Sequence, residues 1–201
     1  MKKDWKGNKK SIFATLGASS HGIGDRQIDD YYATDPQTIV DLFKVEDFGD
    51  TIWEPACGEG HLSKKIEDYG KSVLSTDLVQ RGGYGTGNID FLKQKGVWNG
   101  DIITNPPYKY AQEFVEQSMK LIKKSTVAGL KVAMFLKLTF LEGQKRKKMF
   151  AKYPPKYVYV FSQRQNCAKN GDFHLYPSSA VCYCWFVWEK NFKGETTIKW
   201  I

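Results

Sequence analysis

A short strand that runs straight into a glycine turn and then into a helix restricts this chain more than any other stretch. Thr51-Ile52-Trp53 is apolar, Glu54-Pro55-Ala56-Cys57-Gly58-Glu59-Gly60 follows without a spacer, and His61 to Tyr69 sets Leu62, Ile66 and Tyr69 on one stripe before Gly70. Glycine reaches left-handed backbone at no steric cost, and a glycine after the last apolar position is a common helix stop. A strand turned this tightly into a helix is the opening unit of an α/β sheet, whose next strand lies parallel to the first.

The alternation continues on both sides of that unit. Upstream, Asp35-Pro36 reads as an N-cap followed by proline in the first helical position, with Ile39, Val40 and Phe43 on one side of the helix. Downstream, Ser72-Val73-Leu74-Ser75-Thr76 and Asp101-Ile102-Ile103-Thr104 read as strands. Ala111, Phe114, Val115, Ser118, Met119 and Ile122 recur at helical spacing, and the apolar run Leu130 to Leu138 suits a strand buried on both faces. Glu142 to Tyr153 reads as a helix, and Tyr157 to Phe161 and Val181 to Trp188 as two late strands. Gln80 to Asn88 carries four glycines and no apolar period, which predicts a mobile connector.

A chain of 201 residues fits one domain with a sizeable core, and 41% hydrophobic with 26% charged residues excludes general disorder. The net charge of +8 favours an anionic partner, nucleic acid being the obvious one, although scattered lysines also serve solubility. Cys57, Cys167, Cys182 and Cys184 show no Cys-x-x-Cys pair and no histidine spacing for zinc, so no metal is expected and reduced thiols are the simplest account. Apolar runs are too short to span a membrane and no signal peptide is evident, which places the expected protein in the cytoplasm.

The tetrapeptide Asn105-Pro106-Pro107-Tyr108 ends the third strand. Its prolines fix φ and offer no N–H, so nearby carbonyls can be held in one direction. The Asn105 side-chain oxygen and the Pro106 carbonyl can then accept both hydrogens of a planar amino group, and the Tyr108 ring offers a face to an aromatic base. The adenine amino nitrogen is a weak nucleophile because its lone pair is delocalised. Two acceptors favour the pyramidal nitrogen, and the proton leaves after alkylation without a strong base. At the end of the second strand, Asp77 can hold both hydroxyls of a ribose, the alternative being a cap or loop acid.

Taken in this order, the glycine loop Glu54 to Gly60, Asp77, Asp90-Phe91 and Asn105-Pro106-Pro107-Tyr108 resemble the S-adenosylmethionine-dependent amino-methyltransferases. With Tyr32-Ala33-Thr34-Asp35-Pro36 ahead of both motifs, the arrangement is similar to that of adenine-N6 DNA methyltransferases, over roughly residues 31 to 138. The overall build and the closing Trp185 to Lys190 and Lys199-Trp200-Ile201 stretches resemble small stand-alone methyltransferases carried by bacteriophages.

The resemblance implies an α/β, Rossmann-like class I methyltransferase fold: a seven-stranded, mostly parallel sheet with helices on both faces and one antiparallel strand near its edge. It implies S-adenosylmethionine as cofactor, with Thr34 at its methionine end and Glu54 at its ammonium. Ala56, Gly58 and Gly60 would bring backbone and helix N–H groups to it, Asp77 would take the ribose, Asp90 the adenine amino group, and Phe91 would pack near the ring. For Asp90-Phe91 a turn acid and a core phenylalanine remain open. Catalysis falls to Asn105, Pro106 and Tyr108, on an adenine flipped out of DNA.

Many such DNA enzymes carry a separate recognition domain, for which this chain has no room. Residues 1–30 read as an N-terminal arm, residues 31–201 as the methyltransferase domain, and 162–180 as a candidate substrate-recognition insert. Arg164, Asn166 and Lys169 in that insert, and Arg146 in the Lys145-Arg146-Lys147-Lys148 cluster, are the candidate nucleic-acid contacts. A polar surface loop and a solvated helix face are their bland counterparts. Alternatives to DNA adenine are an amino group of RNA, a protein glutamine amide, or a non-catalytic binding module of the same fold.

Overall fold

The computed structural model describes residues 33–165, 167–168 and 181–201. The N-terminal arm, Asn166, Lys169 and the rest of 169–180 lie outside the described residues. In chain order the elements are β1 (Ala33–Thr34), α1 (Gln37–Phe43), β2 (Thr51–Glu54), α2 (His61–Glu67), β3 (Ser72–Ser75), β4 (Asp101–Thr104), α3 (Ala111–Lys123), β5 (Lys131–Lys137), α4 (Gln144–Lys152), β6 (Tyr157–Val160), β7 (Cys167–Ala168), β8 (Tyr183–Glu189) and β9 (Thr197–Trp200). Short 3-10 turns follow at Phe91–Lys93, Tyr108–Tyr110 and Leu138–Leu141.

Seven strands form one sheet in the order β3-β2-β4-β5-β8-β6-β9. β2 pairs parallel with β3 and β4, β4 with β5, and β6 with β9. β8 alone runs antiparallel, to both β5 and β6. The sheet is therefore mostly parallel as expected, but its antiparallel strand is interior, with β6 and β9 outside it. Its composition fits that place: six of the seven β8 residues are buried, as befits a strand covered on two faces and hydrogen-bonded on two sides.

The two faces are filled by alternate residues of the same strands. On one, Ile39 and Leu42 of α1 and Leu62 and Ile66 of α2 meet Ile52, Ile103, Ala133, Phe135, Trp185 and Val187. On the other, Phe114, Val115, Met119 and Ile122 of α3 and Met149 of α4 meet Ile102, Val132, Met134, Leu136, Phe186 and Trp188. Trp185, Trp188, Tyr159, Phe135 and Phe186 are fully buried, each contributing about 2–3 kcal/mol of apolar burial. Both buried indoles are hydrogen-bonded: Trp185 Nε1 donates to the Thr38 carbonyl and Trp188 Nε1 to that of Tyr153.

Local chemistry explains the element ends. Asp35 Oδ1 accepts from the Gln37 amide at 2.8 Å, and its carbonyl accepts from the Thr38 amide and hydroxyl, starting α1 one residue after Pro36. Gly70, at φ +75°, donates to the Glu67 carbonyl and ends the α2 turn, as the sequence predicts. A two-residue antiparallel pairing, β1 with β7, sits apart from the main sheet.

The chain leaves β2 outward to β3 and returns on the other side of β2 to form β4. Where strand order reverses in this way, the loops at the carboxyl ends diverge and open a crevice. That crevice lies between the glycine turn and the tetrapeptide.

Candidate active site

One cleft of about 970 Å³ lies at the carboxyl ends of β2, β3, β4 and β5. Among its lining residues are Thr34, Glu54, Ala56, Asp77, Asp90, Phe91, Asn105, Pro106 and Tyr108. Nine of the residues singled out from the sequence, spread over seventy-five positions, thus share one cavity. Gly58 and Gly60 are not part of its lining, and neither are Arg146 and Arg164.

Glu54 closes β2 and is buried. Burial pushes its carboxyl up to about 8, against the hydrogen bond from Ser63 Oγ and with Asp77 adding to the rise. Ser63 Oγ is in turn 2.6 Å from Ser75 Oγ, so a small polar network fixes the carboxyl from beneath. A carboxyl with this pKa is mostly protonated at neutral pH, and a cation placed against it would favour its charged form. Beside it, Cys57 is buried, and desolvation together with Glu54 and Asp77 pushes its thiol up to about 12. It is a protonated, inert side chain at neutral pH.

Asp77 shapes the turn. Its Oδ2 accepts from the Gly58 amide at 2.8 Å and its Oδ1 from the Val79 amide at 2.9 Å. Each carboxylate oxygen has a further lone pair, so hydroxyl donors can still be accommodated. Asp90 is more fully used: Oδ1 accepts from the Leu92 amide, capping the 3-10 turn, and Oδ2 pairs with Lys93 at 3.0 Å. The Lys93 partner holds its carboxyl below the usual range. The Phe91 ring lies edge-on to Trp53 at 5.1 Å and tilted against Phe114 at 4.9 Å, in the core beneath the cleft. Asp90 therefore caps a turn and Phe91 packs in the core, and both also border the cavity.

Gly60 is required for a reason the sequence does not reveal. It stands at φ +81° as the residue before α2, and a Cβ there would collide with the Tyr84 ring. Tyr84 lies in the glycine-rich segment expected to be mobile. That segment is instead docked: Thr86 exchanges backbone hydrogen bonds with Ser75 and Asp77, the Tyr84 hydroxyl donates to Glu67, and Lys64 lies 4.9 Å over the Tyr84 ring. Gly60 therefore receives an aromatic ring of its own chain.

The tetrapeptide begins immediately after Thr104, the last residue of β4. Asn105 Nδ2 donates to Thr34 Oγ1 at 2.7 Å. Thr34 is buried, and its backbone pairs with Cys167 across β1 and β7. In this orientation Nδ2 faces the Thr34 hydroxyl and Oδ1 is the acceptor end of the amide. The Tyr108 ring lies tilted against Tyr183, with centroids 6.1 Å apart, and Lys137 Nζ is 4.9 Å from its ring centroid. Lys109, Tyr110 and Lys137 also line the cleft. Sequence reading missed all three; the available signal for Lys137 was a lysine ending an otherwise apolar strand.

The remaining sequence-predicted contacts lie elsewhere. Arg146 Nε donates to the Glu142 carbonyl and its guanidinium sits over Phe140 at 5.2 Å, bracing the turn before α4. Arg164 is exposed and reaches Cys182 Sγ at 3.4 Å, beside a second hollow lined by Asp35, Asp41 and Gln163. Asn166 and Lys169 are outside the described residues. Among the described residues, no group of three or more His, Cys, Asp or Glu side chains gathers to hold a metal, and no helix is long and apolar enough to cross a membrane.

The fold is that of Rossmann-like class I methyltransferases. A protein from Listeria monocytogenes assigned to the class I S-adenosylmethionine-dependent methyltransferases superposes with a TM-score of 0.60 at 14% identity, over 95% of this chain and 70% of that one. A Vibrio vulnificus chain assigned as a modification subunit of a type I restriction enzyme gives 0.59 at 14% identity, over 96% of this chain and 49% of that one. A Pyrococcus horikoshii protein assigned as an RNA methyltransferase gives 0.56 at 11% identity, over 93% of this chain and all of that one. No family model matches the sequence. No curated protein matches it either.

Proposed function

We propose that this protein transfers a methyl group from S-adenosylmethionine to an exocyclic amino group, and that the acceptor is N6 of adenine in DNA. The observation that carries the reading is the sharing of one cleft by a buried, charge-deficient carboxyl and an amino-accepting tetrapeptide, Glu54 and Asn105-Pro106-Pro107-Tyr108. S-adenosylmethionine bound there would supply an electrophilic methyl on a sulfonium. The donor set fits such a group: Glu54 would take its ammonium, the spare lone pairs of Asp77 its ribose hydroxyls, and the cavity is large enough for a nucleoside beside a base.

On the acceptor side, Thr34 holds the Asn105 amide so that Oδ1 can accept one amino hydrogen, and the Pro106 carbonyl is the candidate for the second. These contacts strengthen as the nitrogen becomes tetrahedral and its hydrogens acidic, so they favour the transition state over the planar ground state. Tyr108 offers a ring face to the base. The nitrogen sheds one proton after gaining the methyl, and because it is then cationic and acidic no strong base is needed to remove it. A modification subunit of a type I restriction enzyme and an RNA methyltransferase among the structural neighbours support a nucleic-acid acceptor.

Purified protein incubated with methyl-labelled S-adenosylmethionine and, separately, unmethylated DNA, RNA and total cell protein tests this. Label in DNA only is the expected result. Label confined to RNA or to protein would replace the acceptor, and cofactor binding without any transfer would reduce the chain to a binding module.

A further inference from the structure

The four strands at the cleft set four kinds of side chain in a row. In the sheet order β3, β2, β4, β5, the carboxyl ends carry Asp77, Glu54, Asn105 and Lys137. They cover three strand spacings, about 14 Å across the sheet, but are staggered along it: Glu54 is level with Ser75, two residues short of Asp77, and Lys137 lies two residues beyond the level of Asn105. Along the strand ends the row runs from acid through amide to ammonium, while Arg81, on the segment after Asp77, also lines the wall.

The basic end is unusual for its surroundings. On the face of β5 covered by α1 and α2, the row is Ala133, Phe135, Lys137: two fully buried apolar residues and then a half-buried cation. Lys137 pairs across the sheet with Tyr183 and stands 4.9 Å from the Tyr108 ring centroid. Among the described residues it makes no salt bridge and no side-chain hydrogen bond. The cleft's own carboxylates do not serve it: Glu54 is bonded to Ser63, Asp77 to the Gly58 and Val79 amides, and Asp90 to Lys93 and the Leu92 amide. Lys109, on the tetrapeptide's own turn, adds a second cation at the same end. A half-buried ammonium forgoes hydration for only the weak compensation of a ring face, which an anion arriving in the cleft would replace with a charge-assisted bond.

Resting on the function proposed above, we infer that Lys137 binds a backbone phosphate of the nucleic acid beside the target base, making it a determinant of substrate class. A cation at this end repels a sulfonium and so does not suit the cofactor. A glutamine amide acceptor brings no anion with it. A nucleotide presents its phosphate several ångströms from its base, and with Thr104 level with Met134, Lys137 stands one strand over from Asn105 and two residues further along, about 8 Å away. Lys137 leaves the reacting nitrogen untouched; it positions the base by holding the strand that carries it.

The test uses the full chain and its Lys137→Gln and Lys137→Arg variants. Binding to a fluorescent unmethylated DNA duplex, and to an RNA of the same sequence, is titrated across a salt series, and cofactor affinity and steady-state methyl transfer are measured alongside. The inference expects K137Q to lower the slope of log K against log salt by about 1. It expects KM for nucleic acid to rise about tenfold or more, with cofactor affinity unchanged, and K137R to retain the wild-type slope. An unchanged slope in K137Q with wild-type transfer intact would overturn the phosphate role and leave the proposed function standing. A parallel loss of cofactor affinity would assign Lys137 to the cofactor carboxylate instead and overturn it too. Wild-type transfer to protein alone would overturn both readings. Should K137Q misfold, the KM of K137R decides: a wild-type slope and KM within threefold is expected, and a slope reduced despite retained charge contradicts the inference.

Discussion

Replacing Glu54 with glutamine removes a charge without removing a hydrogen-bonding shape, and the pH dependence it leaves behind can be worked out. Burial raises the carboxyl from 4.5 to about 8. The unfolded chain loses this proton near 4.5 while the folded chain keeps it to about 8, so the folded state binds more protons throughout that window. Its stability contribution is fully present below 4.5 and is lost as pH rises towards 8. At about 1.4 kcal/mol per unit, the wild type should lose roughly 3 kcal/mol from this group between pH 5 and 7. Glu54→Gln, neutral throughout, should lose none of it. Urea unfolding of both proteins at pH 5 and pH 7 measures the difference directly, since other titrating groups cancel. The variant should gain roughly 3 kcal/mol on the wild type over that interval, or roughly 6–10 °C in melting temperature for a chain of this size. In binding, the sign reverses. Wild-type affinity for S-adenosylmethionine should climb by up to tenfold per unit from pH 6 to 7.5, as Glu54 is released from its proton, whereas the variant binds weakly and without that slope. A stability difference that stays flat within about 0.5 kcal/mol would mean that water reaches the carboxyl and that the argument for a cationic partner is wrong.

Thr34→Val keeps the shape of the side chain but removes the acceptor for Asn105 Nδ2; methyl transfer should fall about tenfold to a hundredfold with cofactor affinity within twofold, and Thr34→Ser should restore most of it. If calorimetry showed the cofactor affinity falling instead, Thr34 would be a cofactor contact. Gly60→Ala should destabilise the fold by at least about 2 kcal/mol in urea, combining left-handed strain with the Tyr84 collision, and adding Tyr84→Ala should recover the steric part. An unaltered midpoint would show that the turn relaxes freely. Cys57 should resist alkylation at pH 8 in the folded protein, because its thiol is pushed up to about 12; rapid labelling followed by mass spectrometry would contradict that environment.

Much of this was legible because it is local. The strand, turn and helix from Thr51 to Glu67, the start of α1 at Asp35-Pro36 and the buried stripe of α3 follow from patterns within a few residues of one another. The site was legible for the same reason, since the open α/β sheet gathers strand ends and the motifs lie at those ends. What escaped depends on distant partners. Nothing near Val181 to Trp188 says that β8 slots between β5 and β6, because its continuous apolar run suits an interior place in any direction. The connector read as mobile because four glycines mask the one aromatic, Tyr84, that docks it on Gly60. β9 escaped because all four of its residues are exposed, so it carries no burial period at all. Lys137 looked like the end of a strand until the tetrapeptide was placed beside it.

The most direct measurement is nucleoside mass spectrometry of unmethylated DNA after a single turnover, with wild type and Asn105→Ala both saturated with S-adenosylmethionine. N6-methyladenine from the wild type and none from the variant, at cofactor affinities within about twofold, is the result predicted. Equal yields from the two, or methyl groups found on another base or in protein alone, would contradict the account.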